Sequence, residues 1–147
     1  MPAKPIPEAI QAFLREPNHA VIAVIRADGR PICVPTWYEY TNDGSILVNM
    51  DEGRARLRHI RKNPSVAMSI MDHENWIHHI SLTGTVREIY DDEGMRDIDR
   101  LAMHYMNIQY KNRERGRVSA LIDIDTWFGW DARTFKEDGV AERIKVN

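Results

Sequence analysis

The chain has 147 residues, a formal net charge of −2 and a single cysteine, Cys33. That length suits one domain and buries roughly 70% of the unfolded surface, enough for a real core. A near-neutral balance argues against binding nucleic acid or an anionic membrane through bulk charge, and one cysteine excludes an intrachain disulfide and a cysteine-built zinc site.

The opening segment, Met1-Pro-Ala-Lys-Pro-Ile-Pro, lacks the apolar core of a signal peptide, and no stretch reaches the ~18 apolar residues of a membrane span. A soluble, cytoplasmic protein is expected. Ile10, Phe13 and Leu14 recur at helical spacing after Pro7, so a short helix is predicted over Pro7–Arg15, ending before Pro17. Ala20–Arg26 is rich in β-branched residues and reads as a strand. Asp28-Gly29 is a hairpin turn, and Pro31–Tyr40 is the returning strand. Asn42-Asp43-Gly44 turns the chain again into a third strand, Ser45–Met50. Gly53 breaks that strand, a short helix covers Arg56–Lys62, and Asn63-Pro64 stops it.

Val66–Met71 is the fourth strand, Asp72–Asn75 a loop, and Trp76–Tyr90 a long strand with a bulge or bend expected at Gly84. Asp91-Asp92 is placed to cap the next helix. In that helix Met95, Ile98, Leu101, Ala102, Tyr105 and Ile108 repeat at three- and four-residue steps and predict one buried face. Lys111–Arg117 is a basic loop, Ser119–Trp127 a final strand, and residues 132–147 a charged tail, mobile or packed on a partner. Six short strands joined by successive hairpins, one of them long and bent, predict a mainly β (α+β) domain: a split β-barrel of about six antiparallel strands with short flanking helices.

Between Arg54 and Lys62 stand five basic residues, Arg54, Arg56, Arg58, Arg61 and Lys62, and no acidic one. A surface helix held by its own ion pairs would alternate signs. This run instead begins after a strand end and a glycine, where helix N–H groups lack partners, and guanidinium groups pair bidentately with phosphate oxygens. The pattern points to a small phosphorylated ligand, with Arg54 and Arg56 as its phosphate ligands. A planar cofactor would need an aromatic or apolar wall, but residues such as Trp37, Tyr38, Trp76, Trp127 and Trp130 are most often core or interface, and the sequence does not pick one out. His78 and His79, adjacent on the predicted strand, point to opposite faces, so no metal site is expected. The chain has no P-loop, dinucleotide turn, nucleophile elbow or paired carboxylates, so no catalytic residue is named; enzymatic chemistry here belongs to a bound cofactor.

The succession Asp28-Gly-Arg-Pro, then Val34-Pro-Thr-Trp-Tyr38, Ile46-Leu-Val-Asn49, and Arg54-x-Arg-x-Arg-x-Ile-Arg-Lys-Asn-Pro64-x-Val66 resembles the pyridoxamine-phosphate-oxidase-like split β-barrel superfamily. It is most similar to the branch of small reductases dependent on the deazaflavin coenzyme F-420. The likeness runs from about residue 10 to 131. It implies a homodimer with two cofactor sites at the subunit interface. Arg54 and Arg56 would then hold the cofactor phosphate. Val34, Pro35 and Thr36, with Val48, Asn49 and Met50, would line the ring, and Trp76, Ile77, His78 and His79 would approach from the other subunit. Arg58 and Arg61 would meet the polyglutamate tail. Many relatives carry Lys where Arg56 stands.

The resemblance thus implies an oxidoreductase moving a hydride between reduced F-420 and a small unsaturated organic substrate. The alternatives are the same fold with FMN, as an oxidase or flavin reductase, and a non-catalytic flavin carrier. Nucleic acid is not an expected partner.

Overall fold

The computed structural model describes residues 5–131 and 142–144. In chain order these form α1 (Glu8–Leu14), β1 (His19–Ile25), β2 (Pro31–Thr36), β3 (Glu39–Tyr40), β4 (Ile46–Asp51), α2 (Ala55–Lys62), β5 (Ser65–Met71), β6 (His79–Asp91), α3 (Arg96–Met106), β7 (Arg117–Asp131) and β8 (Glu142–Ile144). The strands make one antiparallel sheet in the order β2-β1-β5-β6-β7-β4-β3, with β8 paired to β7. Six strands are long, as the sequence predicts; β3 and β8 are the short additions.

Alternation sets the core. Ala20, Ile22 and Val24 of β1, Val66, Met68 and Ile70 of β5, Ile80 and Leu82 of β6, and Ile122 and Ile124 of β7 all face inward. Ile46, Val48 and Met50 of β4 join the same cluster. β1 and β4 lie near opposite margins of the sheet, so a shared core requires the sheet to curl on itself: this is the split barrel. Ile10, Phe13 and Leu14 of α1 and Leu57 and Ile60 of α2 complete that core. α3 covers the outer face instead, where Ile98 and Leu101 pack on Leu47.

The curl depends on bends. β6 and β7 slip register between Thr83 and Gly84 and again between Val86 and Glu88. At Gly84 an added Cβ would stand 2.6 Å from the Asp123 carbonyl oxygen and 2.6 Å from Ile122 Cγ2, so only glycine lets the strands approach this closely.

Buried polar groups fasten the helices to the sheet. Asn18 is fully buried; its Nδ2 donates to the Phe13 carbonyl at 2.7 Å and to Tyr38 Oη at 3.3 Å, and its carbonyl accepts Tyr105 Oη at 2.7 Å. Asp92 caps α3 by accepting the Asp97 and Ile98 amides, each at 2.9 Å, as the Asp91-Asp92 pair predicts, although a 3-10 turn over Glu93–Met95 intervenes.

Several boundaries differ from the sequence reading. Pro31–Tyr40 is not one strand: Trp37 and Tyr38 leave the sheet, and Trp37 stacks on Tyr105 with 5.4 Å between centroids. The long strand starts at His79, not Trp76, because Asp72 Oδ1 accepts the Glu74 and Asn75 amides and the His78 amide turns back onto the Asn75 carbonyl. His78 and His79 therefore do not alternate along a strand. Ile108 is exposed, since α3 ends at Asn107 in the left-handed region (φ 56). The reading of the tail as mobile or partner-bound falls mostly outside the described residues; Glu142–Ile144 is a strand on β7.

Candidate functional site

The two margins of the curled sheet meet around α2. The helix leaves β4 and packs against β1, so it bridges the seam. On one side stands β2. Its Ile32 and Val34 lie opposite Val24 and Ile22, hence on the core-facing side, yet they are 48% and 42% exposed. They form an open apolar wall. On the other side is β4, whose pairing with β3 stops at Ile46 and Leu47. The Thr41 amide donates to the Ser45 carbonyl, which fixes the hydrogen-bonding parity and turns the Asn49 N–H and C=O toward the unpaired edge.

That edge carries the basic cluster. Arg54 is the N-cap of α2, with no side-chain cap and no acidic residue in the first turn, so the helix presents unsatisfied N–H groups and a positive dipole end. Arg56 turns back so that Nη2 donates to the Asn49 carbonyl at 3.4 Å. Its Nη1 is buried without an acceptor. Burial, reinforced by the neighbouring Arg54 and Arg117 guanidiniums, pulls Arg56 down to about 10, still cationic at neutral pH. Arg87, Arg100, Arg113 and Arg115 each reach a carboxylate; Arg54, Arg56 and Arg117 form no ion pair among the described residues. An unneutralised, partly desolvated cluster of this kind has the chemistry to accept an anion.

Arg58 and Arg61 are exposed and share the far face of α2 by their three-residue spacing, so they do not converge with Arg56. Arg61 and Lys62 also oppose the negative end of the helix dipole. Val48 and Met50 are committed to the core, and by the same parity their backbone N–H and C=O groups face β7, not the open edge. The Asn49 side chain is likewise engaged, its Nδ2 donating to Asp92 Oδ2 and Ser119 Oγ, both at 3.0 Å. Pro35 and Thr36 continue β2 beside the wall, with Thr36 Oγ1 donating to the Trp37 carbonyl.

The Trp76–His79 segment splits by burial. Trp76 is 72% exposed and Ile77 is exposed beside it, while His78 is buried edge-on to Phe13 with centroids 4.6 Å apart. His79 Nδ1 lies 2.8 Å from the Ile77 carbonyl oxygen. A separate groove of about 400 Å³ opens on the outer face of the sheet, floored by Ala23, Ala67, Ser69 and Ser81; none of the sequence-predicted site residues lines it. Sequence reasoning missed two residues of the seam, Ile32 and Arg117. Ile32 was findable from the alternation of β2, which sets it on the same face as Val34.

No helix among the described residues is long and apolar enough to cross a membrane. Among curated protein sequences none matches the chain significantly. Several solved structures share the fold. An F-420 reductase is 23% identical, covering 83% of this chain and 98% of its own, with a TM-score of 0.75. A conserved hypothetical protein of Mycobacterium tuberculosis is 22% identical over 86% of each chain, with a TM-score of 0.65. The FAD and heme binding protein of Mycobacterium smegmatis is 19% identical over 84% of this chain and 70% of its own, with a TM-score of 0.61. At these identities the likeness is one of fold. The family model for pyridoxamine 5'-phosphate oxidase matches residues 6–131, which takes in both margins of the seam, the bridging helix and the bent β6–β7 pair. The chain therefore belongs to the pyridoxamine 5'-phosphate oxidase family of flavin-binding oxidoreductases and has its split-barrel fold.

Proposed function

We propose that the protein is an oxidoreductase that moves a hydride between the deazaflavin coenzyme F-420 and a small unsaturated organic substrate, acting as a homodimer. The observation that carries this reading is the buried Arg56 Nη1, which has no acceptor, beside Arg54 at an uncapped helix start. The residues present fit such a group. Arg54 and Arg56 would hold its phosphate. Ile32, Val34, Pro35 and Thr36 would form an apolar wall for the ring, and the outward Asn49 N–H would donate to a ring heteroatom.

When bound, the deazaflavin supplies two-electron hydride chemistry. The chain's part is to fix the ring and to exclude water with the β2 wall. Arg58 and Arg61, exposed on the far face of α2, would be left for the carboxylates of a polyglutamate tail, the part of F-420 that FMN lacks. Exposed Trp76 and Ile77, on a turn pinned by Asp72 and by His78 against Phe13, suit a reach into a second subunit's site, with His79 behind them.

Titrating the purified protein with F-420 and with FMN, followed by tryptophan fluorescence, tests this directly. F-420 is expected to bind more tightly. Replacing Arg54 and Arg56 together by Ala should leave the melting curve intact and weaken F-420 by about 100-fold or more, the scale of two charge-assisted contacts. Unchanged affinity would move the site elsewhere. Tighter FMN binding would make the protein an FMN oxidase or flavin reductase instead.

A further inference from the structure

We propose that Arg117 is a third phosphate ligand of this site, beside Arg54 and opposite Arg56, with Asn49 setting the position of both the Arg56 and Arg117 guanidinium groups. This rests on the reading that the cluster holds a phosphorylated cofactor, and it adds a side chain more than fifty residues away from the basic run.

Asn49 lies between the two arginines. Its backbone carbonyl accepts Arg56 Nη2, and its side-chain Oδ1 accepts Arg117 Nε at 2.9 Å. The amide is oriented from behind: Nδ2 donates to Asp92 and Ser119, which leaves Oδ1 facing Arg117. Arg117 is held on two further sides. Its Nη1 donates to Tyr110 Oη at 3.2 Å, and the guanidinium carbon sits 4.8 Å above the Tyr110 ring centroid. Tyr110 is itself fixed by its amide on Asp99 Oδ1 and by the edge of Trp37.

Asp92 is the carboxylate that shares Asn49 with Arg117, and it does not neutralise the arginine. Its oxygens are taken by Asn49 and by the amides of Asp97 and Ile98. Two guanidiniums thus rest on one asparagine with no ion pair among the described residues. Their repulsion is unfavourable until an anion sits between them. Arg56 Nη1 lacks an acceptor, and Arg117 Nη2 makes no hydrogen bond to the described residues. The donors left over on the pair suit a phosphate group, whose oxygens accept from several directions.

Two ligand pairs separate phosphate recognition from ring recognition: FMN against riboflavin, and F-420 against its ribityl-deazaflavin core lacking the phosphodiester tail. Dissociation constants are measured for the wild type, Arg56→Gln, Arg117→Gln and Arg117→Lys, with a thermal melt of each. Arg117→Gln is expected to lose about 10- to 100-fold for the phosphorylated partner of the pair that binds, and nothing for the unphosphorylated one. Arg117→Lys keeps the charge without the fork and should fall between; it stands in if the Gln variant does not fold. If Arg56→Gln loses phosphate discrimination and both Arg117 variants keep it, the inference about Arg117 is wrong and the cofactor reading survives. If the wild type does not discriminate within either pair, or Arg56→Gln changes nothing, the anion site itself fails and both fall.

Discussion

Asn18 is a buried polar side chain and Arg56 a half-buried one, and they differ in how far their hydrogen-bonding groups are used. Every polar atom of Asn18 has a use: Phe13 and Tyr38 take its Nδ2, and His73 Nδ1 lies 3.4 Å from its Oδ1. Asn18→Ala would leave the Phe13 carbonyl and the Tyr38 hydroxyl without that donor inside the protein. It is expected to destabilise by about 2–4 kcal/mol, read as a lower urea midpoint at unchanged slope, without altering cofactor affinity in the surviving folded protein. Arg56 has a donor in surplus, Nη1, and it is this surplus in a cationic group that the proposed anion would use. The cluster it belongs to was legible because the sequence shows a basic run without acids after a strand and a glycine. Arg117 was not legible: its relation to Asn49 exists only through the β4–β7 register that sets Asp51 opposite Arg117. The sequence also assigned Val48 and Met50 to the ring, whereas β4 buries both of their side chains.

At the scale of elements, local chemistry set what the sequence could show. A glycine inside a long β-branched run signals a bend, and the register shift at Gly84 is that bend. Gly84→Ala would drive a methyl against backbone on the neighbouring strand, where nothing flexible can give way. A loss of about 3 kcal/mol or more is expected in denaturant unfolding, or failure to accumulate folded protein. A loss below about 1 kcal/mol would show that β7 can move aside. The errors at Trp76 and Ile108 share a cause. An apolar pattern carries on past the point where a turn residue stops the element, and the stop wins: Asp72 with Asn75 in the first case, Asn107 in the second. Asn107 was a readable signal; the Asp72 turn competed with an equally good strand pattern.

For the whole molecule, carboxylates tie distant elements together and set its behaviour in acid. Burial alone would raise Asp97, but hydrogen bonds from Ser119 and Tyr90 and the nearby Arg100 outweigh it, and its pKa is lowered. The Arg113 hydrogen bond lowers Asp99, and Thr41 and Ser45 lower Asp43. A carboxylate whose folded pKa lies below its unfolded value stabilises the fold above the unfolded value, about 4, and that contribution is lost as pH falls through the folded one. The urea midpoint should therefore hold from neutrality to about pH 5 and drop below about pH 4; a midpoint rising on acidification would contradict it. At this scale the hairpins and six long strands were legible, since each turn announces itself locally. The order that sets β5 beside β1 and β7 beside β4 was not. Those pairings span many residues and are chosen by how the inward faces of Ile22, Ile70 and Ile122 fill one core.

The margin of the sheet at β2 also bears on how the molecule lives at high concentration. The Arg26 amide donates to the Arg30 carbonyl, and this parity sends the backbone of positions 32, 34 and 36 toward β1 and that of 31, 33 and 35 outward. Two of those three outward positions are Pro31 and Pro35, which have no N–H to give. A strand laid along this margin would find one amide donor, that of Cys33, where a continuous ladder requires three. The sheet is closed to further growth from that side by its own covalent chemistry, so the exposed Ile32 and Val34 can be shown to solvent and small molecules without templating a fibre.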